Sequence, residues 1–223
     1  MQKNTFSKWA LGAVCGLATL GAAPAAEAQD SFVRVLHALP GGPKVDFYFD
    51  GQKTLNDYRF GGNSKYVKLP SGFRQIAVRS NNPSRTLFSR TPRLAANSFY
   101  TGIAWGTPAH PRFTIHNDSA GDVPFNRARI TFFHLSPGLP PVDVVGTSVA
   151  TGRTYRFLRR LRYGQIRYAN VPAIPMTIRL VAGGRTVKTY TGAEPRAGRK
   201  YSAYAMGVPR QSFNLFLDTT ASQ

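Results

Sequence analysis

One short stretch occurs twice and constrains the fold more than any other feature. His37, Pro40, Gly41, Pro43, Val45 and Asp46 recur as His134, Pro137, Gly138, Pro140, Val142 and Asp143, always 97 residues on. A β-rich run precedes each copy, Phe32 to Leu36 and Arg129 to Phe133, and another follows. Later matches hold with small drifts in offset. Tyr66 answers to Tyr168 and Pro70 to Pro172, while Tyr100 to Gly106 answers to Tyr201 to Gly207. Loops that changed length between copies would produce that drift. A period of about 100 residues is too long for a solenoid, whose repeats run to roughly 20–50 residues, so each copy reads as a domain.

Within a copy the pattern is that of short strands. Val45, Phe47 and Phe49 alternate with Asp46, Tyr48 and Asp50, the period of two expected of a strand. Asp50-Gly51 is a hairpin signal. Further apolar runs end at Gly61-Gly62, at Pro70-Ser71-Gly72 and at Asn81-Asn82-Pro83. No helical stripe interrupts them. Many short strands between turn residues point to an all-β chain of two tandem antiparallel β-sandwiches. The expected boundaries are 32–118 for the first, 119–127 for a linker containing Gly121 and Pro124, and 128–218 for the second.

Residues 1–28 read as a secretory signal peptide. Lys3 and Lys8 precede an apolar run from Trp9 to Gly21, and Ala26-Glu27-Ala28 is a cleavage signal. The expected location is therefore periplasmic or extracellular. Cys15, the one cysteine, lies inside that segment, so the exported chain is expected to carry no disulfide, lipid anchor, thiol chemistry or cysteine-bound metal.

Arg34-Val35-Leu36-His37 with Pro40, then Pro43, Val45-Asp46, Tyr48 and Asp50-Gly51, resembles the opening of a bacterial secreted family catalogued only as a domain of unknown function (number 4397). Phe60-Gly61, Tyr66 before Leu69-Pro70, and the Tyr100 to Gly106 strand fit as well. The second copy departs from the pattern, with Val144-Val145-Gly146 where the first has Phe47 to Gly51, and Ala173 where a glycine is usual. The resemblance implies an Ig-like or transthyretin-like sandwich, often in tandem. It implies no established activity and no catalytic residues.

Two sets of residues stand out. In the repeated motif, His37, Pro40, Asp46, His134, Pro137 and Asp143 are expected to be structural: the prolines fix the loop backbone, and each aspartate caps loop N–H groups or bonds the imidazole. A histidine facing a carboxylate is also the start of a general base or metal site. No nucleophile motif accompanies it, and one His and one Asp per copy fall short of zinc's usual ligand count. No metal, cofactor or catalytic group is expected.

The other set is basic. The chain has 29 Lys and Arg against 10 Asp and Glu, a net charge of +19, which attracts polyanions. The excess is densest at Arg153, Tyr155, Arg156, Arg159, Arg160, Arg162, Tyr163 and Arg167, a stretch without an acid. Arginine forks grip carboxylates and phosphates, and aromatic faces stack on sugars or bases. The expected partners of an exported chain are anionic polysaccharide, lipid headgroups or extracellular DNA. The function expected is a non-enzymatic binding or envelope-structural protein. An accessory or enzymatic factor in surface-polysaccharide processing, or an extracellular nucleic-acid binder, is the alternative.

Overall fold

The computed structural model describes residues 29–220; the expected signal peptide and Cys15 lie outside them. No helix occurs among the described residues, and none is long and apolar enough to cross a membrane. The first half contributes β1 (Asp30–Ala38), β2 (Val45–Phe49), β3 (Gln52–Tyr58), β4 (Val67–Pro70), β5 (Gly72–Phe73), β6 (Ile76–Asn81), β7 (Ser84–Arg90), β8 (Arg93–Leu94), β9 (Phe99–Gly106) and β10 (Pro111–Asn117). The second contributes β11 (Arg127–Leu135), β12 (Val142–Ser148), β13 (Thr154–Leu161), β14 (Ile166–Pro172), β15 (Met176–Ala182), β16 (Arg185–Ala193), β17 (Lys200–Met206) and β18 (Asn214–Thr219).

The two halves share one strand order. In the first, β10-β9-β1-β4 faces β3-β2-β6-β7; in the second, β18-β17-β11-β14 faces β13-β12-β15-β16. All pairs are antiparallel except β1 with β9 and β11 with β17. This order departs from the ABED/CFG arrangement of immunoglobulin constant domains. The small β5-β8 pair occurs in the first half only.

Each sandwich has its own core. Val33, Val35, Phe47, Ile76 and Val78 fill the first; Ile130, Phe132, Val144, Ile178 and Leu180 fill the second. A third cluster joins them. Leu36, Ala38, Ile103 and Trp105 pack with Phe133, Leu135, Tyr204 and Met206. These are equivalent positions of the two halves. Side chains alternate across a strand, so Val33 and Val35 enter the first core while Arg34, Leu36 and Ala38 face the second half. The central strands of the two middle sheets are thus covered on both faces, and four sheets stack in one body.

The stack has two distinct ends. β1 and β11 both begin at the end that carries the linker. Lys200 Nζ there donates to the Ser119 carbonyl, and Arg129 donates to the carbonyls of Ala120 and Asp122. The opposite end carries the two histidine–proline loops. There Tyr163 meets Trp105 edge-on, with ring centroids 5.4 Å apart.

Candidate functional site

The repeated motif forms the same local structure in both halves, and it is not a histidine–aspartate pair. His37 lies at the end of β1 and Asp46 on β2, in different sheets. The His37 ring is 0% exposed. Its Nε2 is 2.9 Å from the Pro43 carbonyl, and the Leu39 N–H donates to its Nδ1. The ring therefore folds the proline loop onto its own strand. His134 repeats this with the Pro140 carbonyl at 3.3 Å, but its Nδ1 has no hydrogen-bond partner among the described residues. Burial holds both rings below the usual histidine range, so they are neutral. Pro40 and Pro137 stand in those loops, just before Gly41 and Gly138, whose φ angles are +69° and +79°.

The aspartates serve the neighbouring sheet. Asp46 Oδ1 accepts from the Asp57 N–H at 2.9 Å, and its Oδ2 lies 2.8 Å from Lys53 Nζ. Asp143 accepts from the Arg160 N–H at 2.9 Å and lies 3.7 Å from Arg156 Nε. Asp57 and Arg160 both have positive φ, 59° and 49°. Register shifts occur in both pairings, β2 with β3 and β12 with β13. Each aspartate ties down a backbone N–H at an irregularity, the task that makes a side-chain carboxylate useful there. The expectation that Asp bonds the imidazole is corrected: strand direction carries the two side chains to different layers. Among the described residues no group of three or more potential metal ligands forms.

The basic segment is built differently from a compact patch. β13 is an edge strand, and it runs from the linker end to the histidine end. Arg153, Arg156, Arg159, Arg160, Arg162 and Arg167 are all exposed. Among the described residues, Asp143 is the one carboxylate in an ion pair with any of them. Arg167 donates to the Arg159 carbonyl at 3.2 Å. At one extreme, Arg153 stacks on Tyr155, 5.3 Å from its ring centroid. Together with Asn126, Arg127 and Ile174 they line an open cleft of about 540 Å³. At the other extreme Tyr163 is 37% exposed and leans on Trp105. The structure brings Arg153 and Tyr155 together and gives Tyr163 a packing role between the halves. Arg127, which adds a second guanidinium to the cleft, is far from the segment in sequence.

A second charged centre lies outside both of those residue sets, around Arg34. Arg34, 2% exposed, donates to Thr101 Oγ1 at 2.9 Å, to Ser202 Oγ at 3.2 Å and to the Tyr204 hydroxyl at 3.0 Å. It pairs with Asp218 at 2.6 Å, and Asp118 lies 4.0 Å away. Asp118 accepts from Tyr66 and Thr101, while its other oxygen is buried without a partner among the described residues. Burial drives its carboxyl above the usual range, only partly countered by Arg34. Burial opposes the Arg34 cation too, but Tyr204, Tyr66 and the two carboxylates outweigh it. The only sequence signal for this centre was a lone arginine inside an apolar strand.

Comparison with known proteins adds a family. The model described as "Domain of unknown function (DUF4397)" matches residues 31–145. No curated protein matches the chain. Among solved structures, that of a candidate cell adhesion protein from Bacteroides uniformis is similar at 9% identity and a TM-score of 0.32, covering 86% of this chain and 97% of that one.

Proposed function

This chain belongs to the DUF4397 family of domains of unknown function, and on that premise we propose that it is an exported, non-enzymatic binding or envelope-structural protein. Its second sandwich holds anionic surface polymer along the outer edge of β13. Residues 128–218 are a second, diverged copy of the family domain, and 119–127 link it to the first. The observation that carries the reading is the edge itself. Five exposed arginines follow one another along β13 and its flanking turns, and Arg167 on the adjacent β14 reaches the Arg159 carbonyl; Asp143 is their one ion-paired carboxylate among the described residues.

An extended polyanion suits a linear row better than a pocket. Its carboxylates or sulfates can meet guanidinium forks in succession, while Tyr155 offers a face for a sugar ring. The same arginines also discourage edge-to-edge pairing with another sheet, and the two roles separate by experiment. On immobilised heparin, used as the polyanion probe, the protein elutes at high salt. The Arg159→Glu, Arg162→Glu, Arg167→Glu variant elutes much earlier and melts at nearly the same temperature. Unchanged retention would sink the reading.

A further inference from the structure

The two ends of the sheet stack differ in a way that the polymer edge does not use. Phe73, Phe125 and Val149 are 70%, 95% and 66% exposed. Strand directions place all three at the linker end. Phe73 sits between β4 and β6 and pairs with Arg93. Phe125 lies in the linker, and Val149 in the turn between β12 and β13. Among the described residues, the histidine end has one large exposed side chain of this kind, Tyr163, and it leans on Trp105. Tyr168 and Phe216 lie on edge strands of a middle sheet, and the Arg129 guanidinium covers the Tyr168 ring at 4.2 Å.

Phe125 and Val149 stand on closed turns, and Phe73 on the short β5–β8 pair. The Arg127 N–H donates to the Pro124 carbonyl across Phe125. The Gly152 N–H donates to the Ser148 carbonyl, and the Val149 N–H to the Pro175 carbonyl. Arg74 bonds the Pro70 and Ser71 carbonyls beside Phe73. The tips are therefore presented rigidly, one from each sandwich and one from the linker between them. Sheets pack about 10 Å apart, so the three tips spread over a broad footing rather than one patch.

Around them are Arg93, Arg127, Arg153, Arg196 and Arg199, all exposed. Of the acids at this end, Asp30 is paired with Lys68 and Asp50 with Arg74, leaving Asp122 and Glu194 outside any ion pair among the described residues. Apolar points inside a basic rim complement a surface that is anionic outside and apolar beneath. A protein partner would instead call for a contiguous complementary area.

We infer that the linker end docks on an anionic lipid bilayer, with Phe73, Phe125 and Val149 entering below the headgroups and the surrounding arginines meeting lipid phosphates. The β13 edge then stays clear of the membrane along most of its length, and docking does not depend on its binding a polymer.

Vesicle sedimentation tests this. The purified protein pellets with phosphatidylglycerol vesicles and stays in solution with phosphatidylcholine vesicles. The Phe73→Ser, Phe125→Ser, Val149→Ser variant binds phosphatidylglycerol about tenfold more weakly or worse, because affinity follows the apolar area inserted. It keeps its melting temperature and its heparin elution. In a Phe125→Trp variant, tryptophan emission shifts to the blue on adding phosphatidylglycerol vesicles. Equal binding by the serine variant would mean adsorption by charge alone and would overturn the inference. So would an unmoved emission from the Phe125→Trp variant, or failure of the wild type to pellet. Heparin retention that ignores the β13 substitutions overturns the polymer reading and leaves the vesicle result to stand or fall by itself.

Discussion

The Arg34 guanidinium of the first sandwich meets the Asp218 carboxylate of the second at 2.6 Å, in a junction otherwise lined by Leu36, Ile103, Phe133 and Tyr204. The repeat makes the relationship asymmetric. Arg34 stands opposite Thr101 in β9, and the matching position opposite Ser202 is Thr131. One arginine therefore serves both the carboxylate of its own half, Asp118, and that of the other. Removing one partner of a buried pair commonly costs about 3–5 kcal/mol. Arg34→Met should lose stability on that scale in urea denaturation. Asp218→Asn should lose less, because that side chain is 37% exposed.

The Arg34→Met deficit should also depend on pH. Burial already raises the Asp118 carboxyl, and Arg34 is the main force holding it down. Without Arg34 the folded-state value rises further. A carboxyl raised in the folded state favours folding at low pH, and that advantage is lost as pH rises through its folded value. The variant should therefore lie closest to wild type in acid and furthest from it near pH 8. A deficit that grows on acidification would contradict this.

The histidines carry the opposite sign to Asp118. His37, His116 and His134 are all held low by burial. The unfolded chain takes up protons near the ordinary histidine value of about 6.5, whereas the folded one resists. Their stabilising contribution is complete above that value and falls as pH drops toward the lowered folded values. For His37 the geometry adds a reason: its Nδ1 already accepts from the Leu39 N–H, so a proton there would face a donor. Melting curves between pH 7.5 and 5 should show a shallower loss in a His37→Gln, His134→Gln variant, which starts from a lower melting temperature.

The sandwich class was legible because its signals are local. Alternation in Val45 to Phe49 and the Asp50-Gly51 turn fix a hairpin without reference to the rest of the chain. The junction was not legible, because it depends on which sheet faces which. Val33 to Ala38 and Ile130 to Leu135 are nearly continuous apolar runs, the mark of strands covered on both faces. They read equally well as strands of a single core. The roles of His37 and Asp46 were half legible. Their repetition marks them as parts of the fold, but strand direction decides that the partners are the Pro43 carbonyl and the Asp57 N–H. The basic run was visible as composition. Its conversion into an edge, with Arg153 beside Arg127 at one tip and Tyr163 against Trp105 at the other, needed the fold.

The two aspartates should behave as one pair of experiments. Asp46→Ala strips the acceptor from the Asp57 N–H, and Asp143→Ala does the same to Arg160. A buried donor left without its partner costs about 1–3 kcal/mol, and the part-buried bond at Asp46 comes nearer that range than the exposed bond at Asp143. Asp46→Asn keeps an oxygen for that N–H and gives up the Lys53 pair, in which the lysine is 51% exposed. Exposed pairs contribute about 1 kcal/mol or less. Alanine should thus cost more than asparagine at both positions, with the larger difference at Asp46, as read from denaturation midpoints. Equal costs would place the importance in charge rather than in the backbone bond.

Gly164 offers a probe of the junction at its other end. Its φ is +78°, and an added Cβ would lie 2.7 Å from the Trp105 ring. Gly183, with φ +54°, has nothing within 4 Å of the same hypothetical atom. Alanine at either site incurs the cost of left-handed backbone, about 1–2 kcal/mol. Only at 164 must a neighbour also move, which adds about 1–3 kcal/mol of overpacking. Trp105 is the sole tryptophan among the described residues, and it is 6% exposed. Gly164→Ala should therefore lower stability more than Gly183→Ala and shift the Trp105 emission, while Gly183→Ala leaves that emission where it is. If both variants melt together with unchanged emission, the Tyr163–Gly164 turn does not bind the second sandwich to the first.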